Sequence, residues 1–165
     1  MATHAEVETR RPTLTAPGIV LGLGLGGFLD GIALHQIMQW HNMLSSTDRW
    51  PVTTLEGMEA NMRADGLFHA ATWILTAIGV WMLFNALRDG AYPSGRALLG
   101  WALAGWGAFN VVEGVIDHQI LGLHNVHEGS NELAWDLGFL AFGIALIVGG
   151  WLLARGDEPR QVERA

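Results

Sequence analysis

The sequence contains no cysteine and no lysine. The first absence excludes disulfides and thiolate metal sites; the second leaves nine arginines as the only fixed positive charges. Charge of either sign is scarce, at 15% of 165 residues, and is nearly missing from several long stretches. A helix of a soluble domain needs one polar face to meet water, so those stretches exclude an ordinary soluble fold. There is no basic patch and no nucleic-acid motif, hence no nucleic-acid partner is expected. No Ser or Cys nucleophile stands out beside a partner base.

What is present is hydrocarbon. Half of the residues are hydrophobic, concentrated in four blocks: Thr13 to Leu44, Ala64 to Leu87, Ala97 to Leu121 and Leu133 to Ala154. Each reaches the roughly 20 residues that cross a bilayer core of about 30 Å. The first block is too long and too rich in glycine for a cleavable signal peptide, and no small-residue cleavage site follows it, so it is expected to be retained. The fold class expected is therefore all-α: an integral membrane four-helix bundle in contact with the lipid bilayer. Its organisation would be an N-terminal tail 1–12, a transmembrane domain 13–155 and a C-terminal tail 156–165. Arg10, Arg11, Arg88, Arg96, Arg155, Arg160 and Arg164 fall in the tails and the second connection. Only Arg49 and Arg63 lie in the first connection, and none in the third. The excess of positive charge on cytoplasmic segments predicts both termini in the cytoplasm of a bacterial inner membrane.

The halves resemble each other. Asp30-Gly31-Ile32-Ala33-Leu34-His35-Gln36-Ile37-Met38-Gln39-Trp40-His41-Asn42-Met43 aligns without gaps to Glu113-Gly114-Val115-Ile116-Asp117-His118-Gln119-Ile120-Leu121-Gly122-Leu123-His124-Asn125-Val126, with six of fourteen positions identical. The register continues upstream, matching Gly22 and Gly24 with Gly105 and Gly107. Two tandem helical hairpins are predicted, about 13–87 and 96–154, related by an axis along the membrane normal. Asp65 and Phe68 match Asp136 and Phe139 less extensively, and helix 4 has no counterpart of His69. Gly18, Gly22 and Gly26, spaced by four, leave a flat strip for a neighbouring backbone, within the chain or in a homodimer. A phosphate-binding loop at Gly22 to Gly27 is discounted because no strand precedes it.

The ionisable residues inside the spans carry the chemistry. At about 1.5 Å per residue, Asp30 lies roughly 25 Å along helix 1, and Glu113 lies at the same depth. Asp65 and His69 begin helix 2, and Asp136 sits one turn into helix 4, so the polar groups share one level near the outer face. A charge within a span costs about 2.5 to 3.5 kcal/mol on insertion scales. A cluster of Asp30, His35, Asp65, His69, Glu113, His118 and Asp136, with Asp117 nearby, is most simply explained by mutual neutralisation through protons, a cation, or both. Imidazole with carboxylate and no thiolate suits one or two transition-metal ions, zinc, iron, manganese or Cu(II), and argues against a soft Cu(I) site. An open metal position in such a site would activate water or oxygen; whether the protein is an enzyme stays open. The rivals are a proton or cation relay without fixed metal and a bis-histidine haem protein.

One spacing resists the metal reading. Asp30 to His35 and Glu113 to His118 are five apart, about 140° around a regular helix. Either each pair serves two sides of a central site, or a π-bulge at Gly31 and Gly114 brings an i to i+5 pair into line. His41 and His124, eleven residues beyond the carboxylates, would stand about 16 Å higher if the helices continue, outside that site. His124, His127 and Glu128 then read as a helix cap or a separate exposed site, with capping favoured. Met38, Met43, Met58 and Met62 read as packing residues. Ser45 to Arg63 reads as a loop containing a surface helix over the site, more readily a helix anchored in the interface by Trp50 than a gating lid.

The Asp30-Gly31 and His35-Gln36 motif, the run Asp65-Gly66-Leu67-Phe68-His69 and the start of helix 4 at Trp135-Asp136-Leu137 together resemble a bacterial family of predicted membrane proteins, domain of unknown function number twenty-two forty-three. The resemblance spans about Ala16 to Arg155. It implies a four-span inner-membrane protein and a link to haem-copper oxidase assembly, hence a respiratory-complex assembly partner. It supplies no activity and no catalytic residue.

Overall fold

A computed structural model describes residues 12–156; the tails, apart from Pro12 and Gly156, lie outside the described residues. Among those described the chain is all helical: α1 (Thr15–Asp30), α2 (Leu55–Arg88), α3 (Gly95–Glu113) and α4 (Glu132–Arg155). Both α1 and α3 continue without a break into a π-helical segment, Gly31–Ile37 and Gly114–Ile120 respectively. All four helices are long and apolar enough to cross a membrane.

α1 and α3 pack on each other at the centre, with α2 against α1 and α4 against α3. The central contact is made by backbone. A Cβ on Gly22 would strike the carbonyl of Ala102, and one on Gly105 would strike that of Ile19. Gly18 and Gly26 meet Trp101 and Trp106 in the same way, so the glycine strip of α1 is occupied by α3 of the same chain. Small residues are what allow this approach between helices in lipid, where no hydrophobic force drives helix association. The outer helices present Trp73, Trp81, Phe84, Leu137, Ile144 and Val148 as exposed side chains. That surface would be unstable in water over so large an area and is at home against acyl chains.

Two boundaries differ from the sequence reading, and both matter for the site. The first span does not run to Leu44. It stops at Ile37 because Gln39 adopts φ 50°, with Gly122 at φ 59° in the equivalent place after the second π-segment. A left-handed residue reverses the chain, and here it directs the following loop back over the helix ends. The second boundary corrects the separate surface helix in the first connection. Leu55 to Arg63 forms the opening turns of α2, a helix of 34 residues capped by the Thr54 hydroxyl, which accepts from Gly57 N. Asn61 secures this start: its side chain donates to the Trp50 and Gly57 carbonyls and accepts from Leu44 N. Leu55, Met58 and Met62 are exposed on it.

Candidate metal centre

The π-segments set the geometry. Met38 N donates to Ala33 O at 2.9 Å and Leu121 N to Ile116 O at 2.8 Å, bonds reaching back five residues where an α-helix reaches four. The wider turn carries residue i+5 close to residue i. His35 is thereby brought under Asp30, with Nε2 3.4 Å from Asp30 Oδ2. The five-residue spacing that an α-helix would scatter becomes a pairing.

Each imidazole is then fixed from behind. His35 Nδ1 lies 3.0 Å from Asp65 Oδ1, and His118 Nδ1 lies 3.3 Å from Asp136 Oδ1. The two carboxylates do the same work in both halves. Asp65 also accepts from Met43 N at 2.9 Å, Asn42 Nδ2 at 2.7 Å and Gln36 Nε2 at 3.4 Å. Asp136 accepts from Val126 N at 2.9 Å, Asn125 Nδ2 at 2.7 Å and Gln119 Nε2 at 3.0 Å. Asp65 and Asp136 thus tie the returning loops to α2 and α4, while Asp65 also hydrogen-bonds the His35 imidazole and Asp136 stands within ion-pair distance of His118.

Those loops bring in two further histidines. His41 and His124 lie in the same cluster as His35 and His118, which corrects their placement about 16 Å higher by helical extrapolation; the chain reverses before reaching them. Their rings stack with centroids 4.5 Å apart and planes 11° from parallel. His41 is also 4.5 Å from His35, and His124 is 4.7 Å from His118. His41 Nδ1 donates to Val126 O at 2.8 Å, and His124 Nδ1 faces Met43 O at 3.3 Å. A carbonyl only accepts, so both imidazoles carry hydrogen on Nδ1 and a lone pair on Nε2. Burial pushes the His41 imidazole down to about 2, with the neighbouring His124 and His35 rings adding to the effect. His124 is lowered chiefly by burial and next by His35. Both are neutral at physiological pH.

The common result is a set of inward-facing donors with no hydrogen-bond partner: Nε2 of His35, His41, His118 and His124, Oδ2 of Asp30 and both oxygens of Glu113, all buried. They fall into three triads, His35–His41–His124, Glu113–His118–His124 and Asp30–His35–Glu113, whose ligand atoms lie within 4.8 Å of one another. These groups could hold a metal ion. Beside them a pocket of about 350 Å³ is lined by Asp30, Leu34, Trp106 and Phe142. It sets apolar walls next to the Asp30 carboxylate.

Of the residues singled out in the sequence, Asp30, His35, Glu113 and His118 come together. Asp65 and Asp136 stand one step behind, engaged by the bonds just described. His69 stands apart: its Nδ1 bonds the Asp65 carbonyl of its own helix at 2.8 Å, its ring is edge-on to Phe28, and it joins no triad. Asp117 joins none either. His127 leaves His124 and packs against Trp40 and Trp135, while Glu128 accepts from the Ser46 hydroxyl. The signal for His41 and His124 was in the sequence as the repeated pairs His41-Asn42 and His124-Asn125.

A family described as predicted membrane protein (DUF2243) matches residues 17–157. The chain belongs to this family. No curated protein and no solved structure matches it.

Proposed function

We propose that this DUF2243 member is an integral membrane metal-binding protein, holding zinc, iron or copper at an intramembrane site near the outer ends of its helices. The observation that carries the reading is the common orientation of four buried imidazoles. His35, His41 and His124 have Nδ1 hydrogen-bonded to an oxygen, His118 Nδ1 lies 3.3 Å from Asp136 Oδ1 without a hydrogen bond, and all four leave Nε2 without a partner beside two carboxylates. A metal-bound histidine ordinarily has its second nitrogen held by a carboxylate or carbonyl in this way. Leaving so many polar atoms buried and unpaired is otherwise expensive, at about 1 to 3 kcal/mol each, a cost that bound metal would relieve. The proposed ligands are Asp30, His35, His41, Glu113, His118 and His124, with Asp65 and Asp136 orienting His35 and His118. His69 is left out of the set.

The rivals find less support. A relay across the membrane needs polar groups beyond the cluster, yet α1 between Thr15 and Leu29 and α3 between Ala97 and Val112 hold no ionisable side chain. A bis-histidine haem needs a slot between imidazoles, whereas the neighbouring rings here are packed 4.5 to 6.3 Å apart. The matching bonds of the two halves fit a tandem duplication of a helical hairpin, and the arginine distribution fits cytoplasmic termini in a bacterial inner membrane. Metal handling, extending to the assembly of a respiratory oxidase, is the role we assign.

Elemental analysis of the purified full-length protein tests the reading. Stoichiometric transition metal is expected in the wild type and in His69→Ala, with a marked loss in His41→Ala. A wild-type protein that binds no zinc, iron or copper, even after incubation with each, would end it.

A further inference from the structure

We infer that the centre takes two metal ions bridged by Glu113, an inference that rests on the metal-binding reading above. One ion cannot use the donors present. Ligand atoms on a transition metal stand about 2.0 to 2.3 Å from it, so two of them are separated by little more than 4 Å across the ion. His41 shares no triad with His118 or with either carboxylate, and Asp30 shares none with His118 or His124. The His41 and His118 ring centroids are 6.3 Å apart. The unpartnered donors therefore spread over more space than one coordination sphere.

Two of the triads divide the set. Asp30–His35–Glu113 and Glu113–His118–His124 have only Glu113 in common. Its two oxygens are both buried and both without a hydrogen-bond partner, and Oε1 lies 3.6 Å from His124 Nε2. A carboxylate with two free oxygens is suited to join two cations, as in helical bundles whose facing helices supply carboxylates and histidines to a metal pair. An imidazole with Nδ1 already engaged is not. His41, in a triad with His35 and His124, stands at the junction and completes the coordination on the loop side. The aligned carboxylates also differ in a useful way. Asp30 is the shorter and serves its own half, while Glu113 has the extra methylene needed to reach the other.

The test uses the full-length chain in detergent, stripped with chelator and reloaded with Cu(II), read by metal-to-protein ratio and by electron paramagnetic resonance. Two ions per chain with a spin-coupled signal are expected. Glu113→Gln should abolish the coupling, because an amide does not bridge two cations, and His118→Ala should bring the ratio from two to one. Reloading with Zn(II) should give the same ratios, which guards against a preference peculiar to copper. Saturation at one ion in the wild type overturns the pair and leaves the metal-binding reading standing. Two ions without coupling also overturn it, placing the second ion elsewhere. No bound ion at all ends both readings.

Discussion

Asp65 and Asp136 each combine two roles in one side chain. Each accepts from a backbone N–H and a loop asparagine, and each holds the Nδ1 side of an imidazole. Replacing such a partner behind a metal ligand lowers metal affinity by about 10- to 100-fold. Asp65→Asn is expected to fall in that range, because the amide nitrogen cannot accept the bond that the lost oxygen received. A competitive chelator titration would measure it. Since Asp136→Asn disturbs the corresponding bonds in the other half, a similar loss is expected there. If both variants matched the wild type, the two aspartates would have no part in positioning the imidazoles.

At the scale of elements, the π-segments decide whether the donors converge. Inserting one alanine after Ala33 would place Asp30 and His35 six positions apart, about 120° around a regular helix in place of the pairing that the wide turn gives. The expected result is loss of bound metal with helical content by circular dichroism unchanged. An insertion variant that kept its metal would show that the pairing of Asp30 with His35 is dispensable. This is also where the sequence was readable and where it was not. Four apolar blocks foretold the four helices, since hydrocarbon length is a demanding filter. The five-residue spacing at Gly31 and Gly114 foretold the π-turns. The reversal at Gln39 was illegible, because glutamine has no preference for a left-handed conformation. Extrapolating the helix through it removed His41 from the site. Its counterpart Gly122 carries the usable hint, since glycine takes that conformation without strain. The sequence places Asp65 and Asp136 in the cluster, but composition cannot say that loop amides claim their oxygens.

At the scale of the whole molecule, neutral imidazoles in a sealed cluster make stability depend on pH. The His41 value is pushed from 6.5 down to about 2, and that of His124 is also lowered. Below about pH 6.5 the unfolded chain binds protons at these positions and the folded one does not, so their contribution makes folding less favourable as pH falls. Above that pH they have no effect. His41 contributes a slope that approaches about 1.4 kcal/mol per pH unit as the pH falls below 6.5. Metal-free protein in detergent is therefore expected to lose more thermal stability between pH 6.5 and 5.5 than a His41→Gln variant does, with the two curves parallel above pH 7. Equal acid sensitivity in both would show that His41 is charged in the folded state.

His41 of the first hairpin is held by the carbonyl of Val126 in the second, and His124 of the second faces Met43 in the first. Neither hairpin can orient its own loop histidine. A chain severed in the turn around Gly90, where the backbone has free space, would yield fragments that each insert into a membrane yet lack a competent site. Mixed in one bilayer they should regain it, and the recovered metal should rise with the product of their amounts. Ion capture in this protein would then act as a check on its own assembly: only a correctly paired molecule can be loaded.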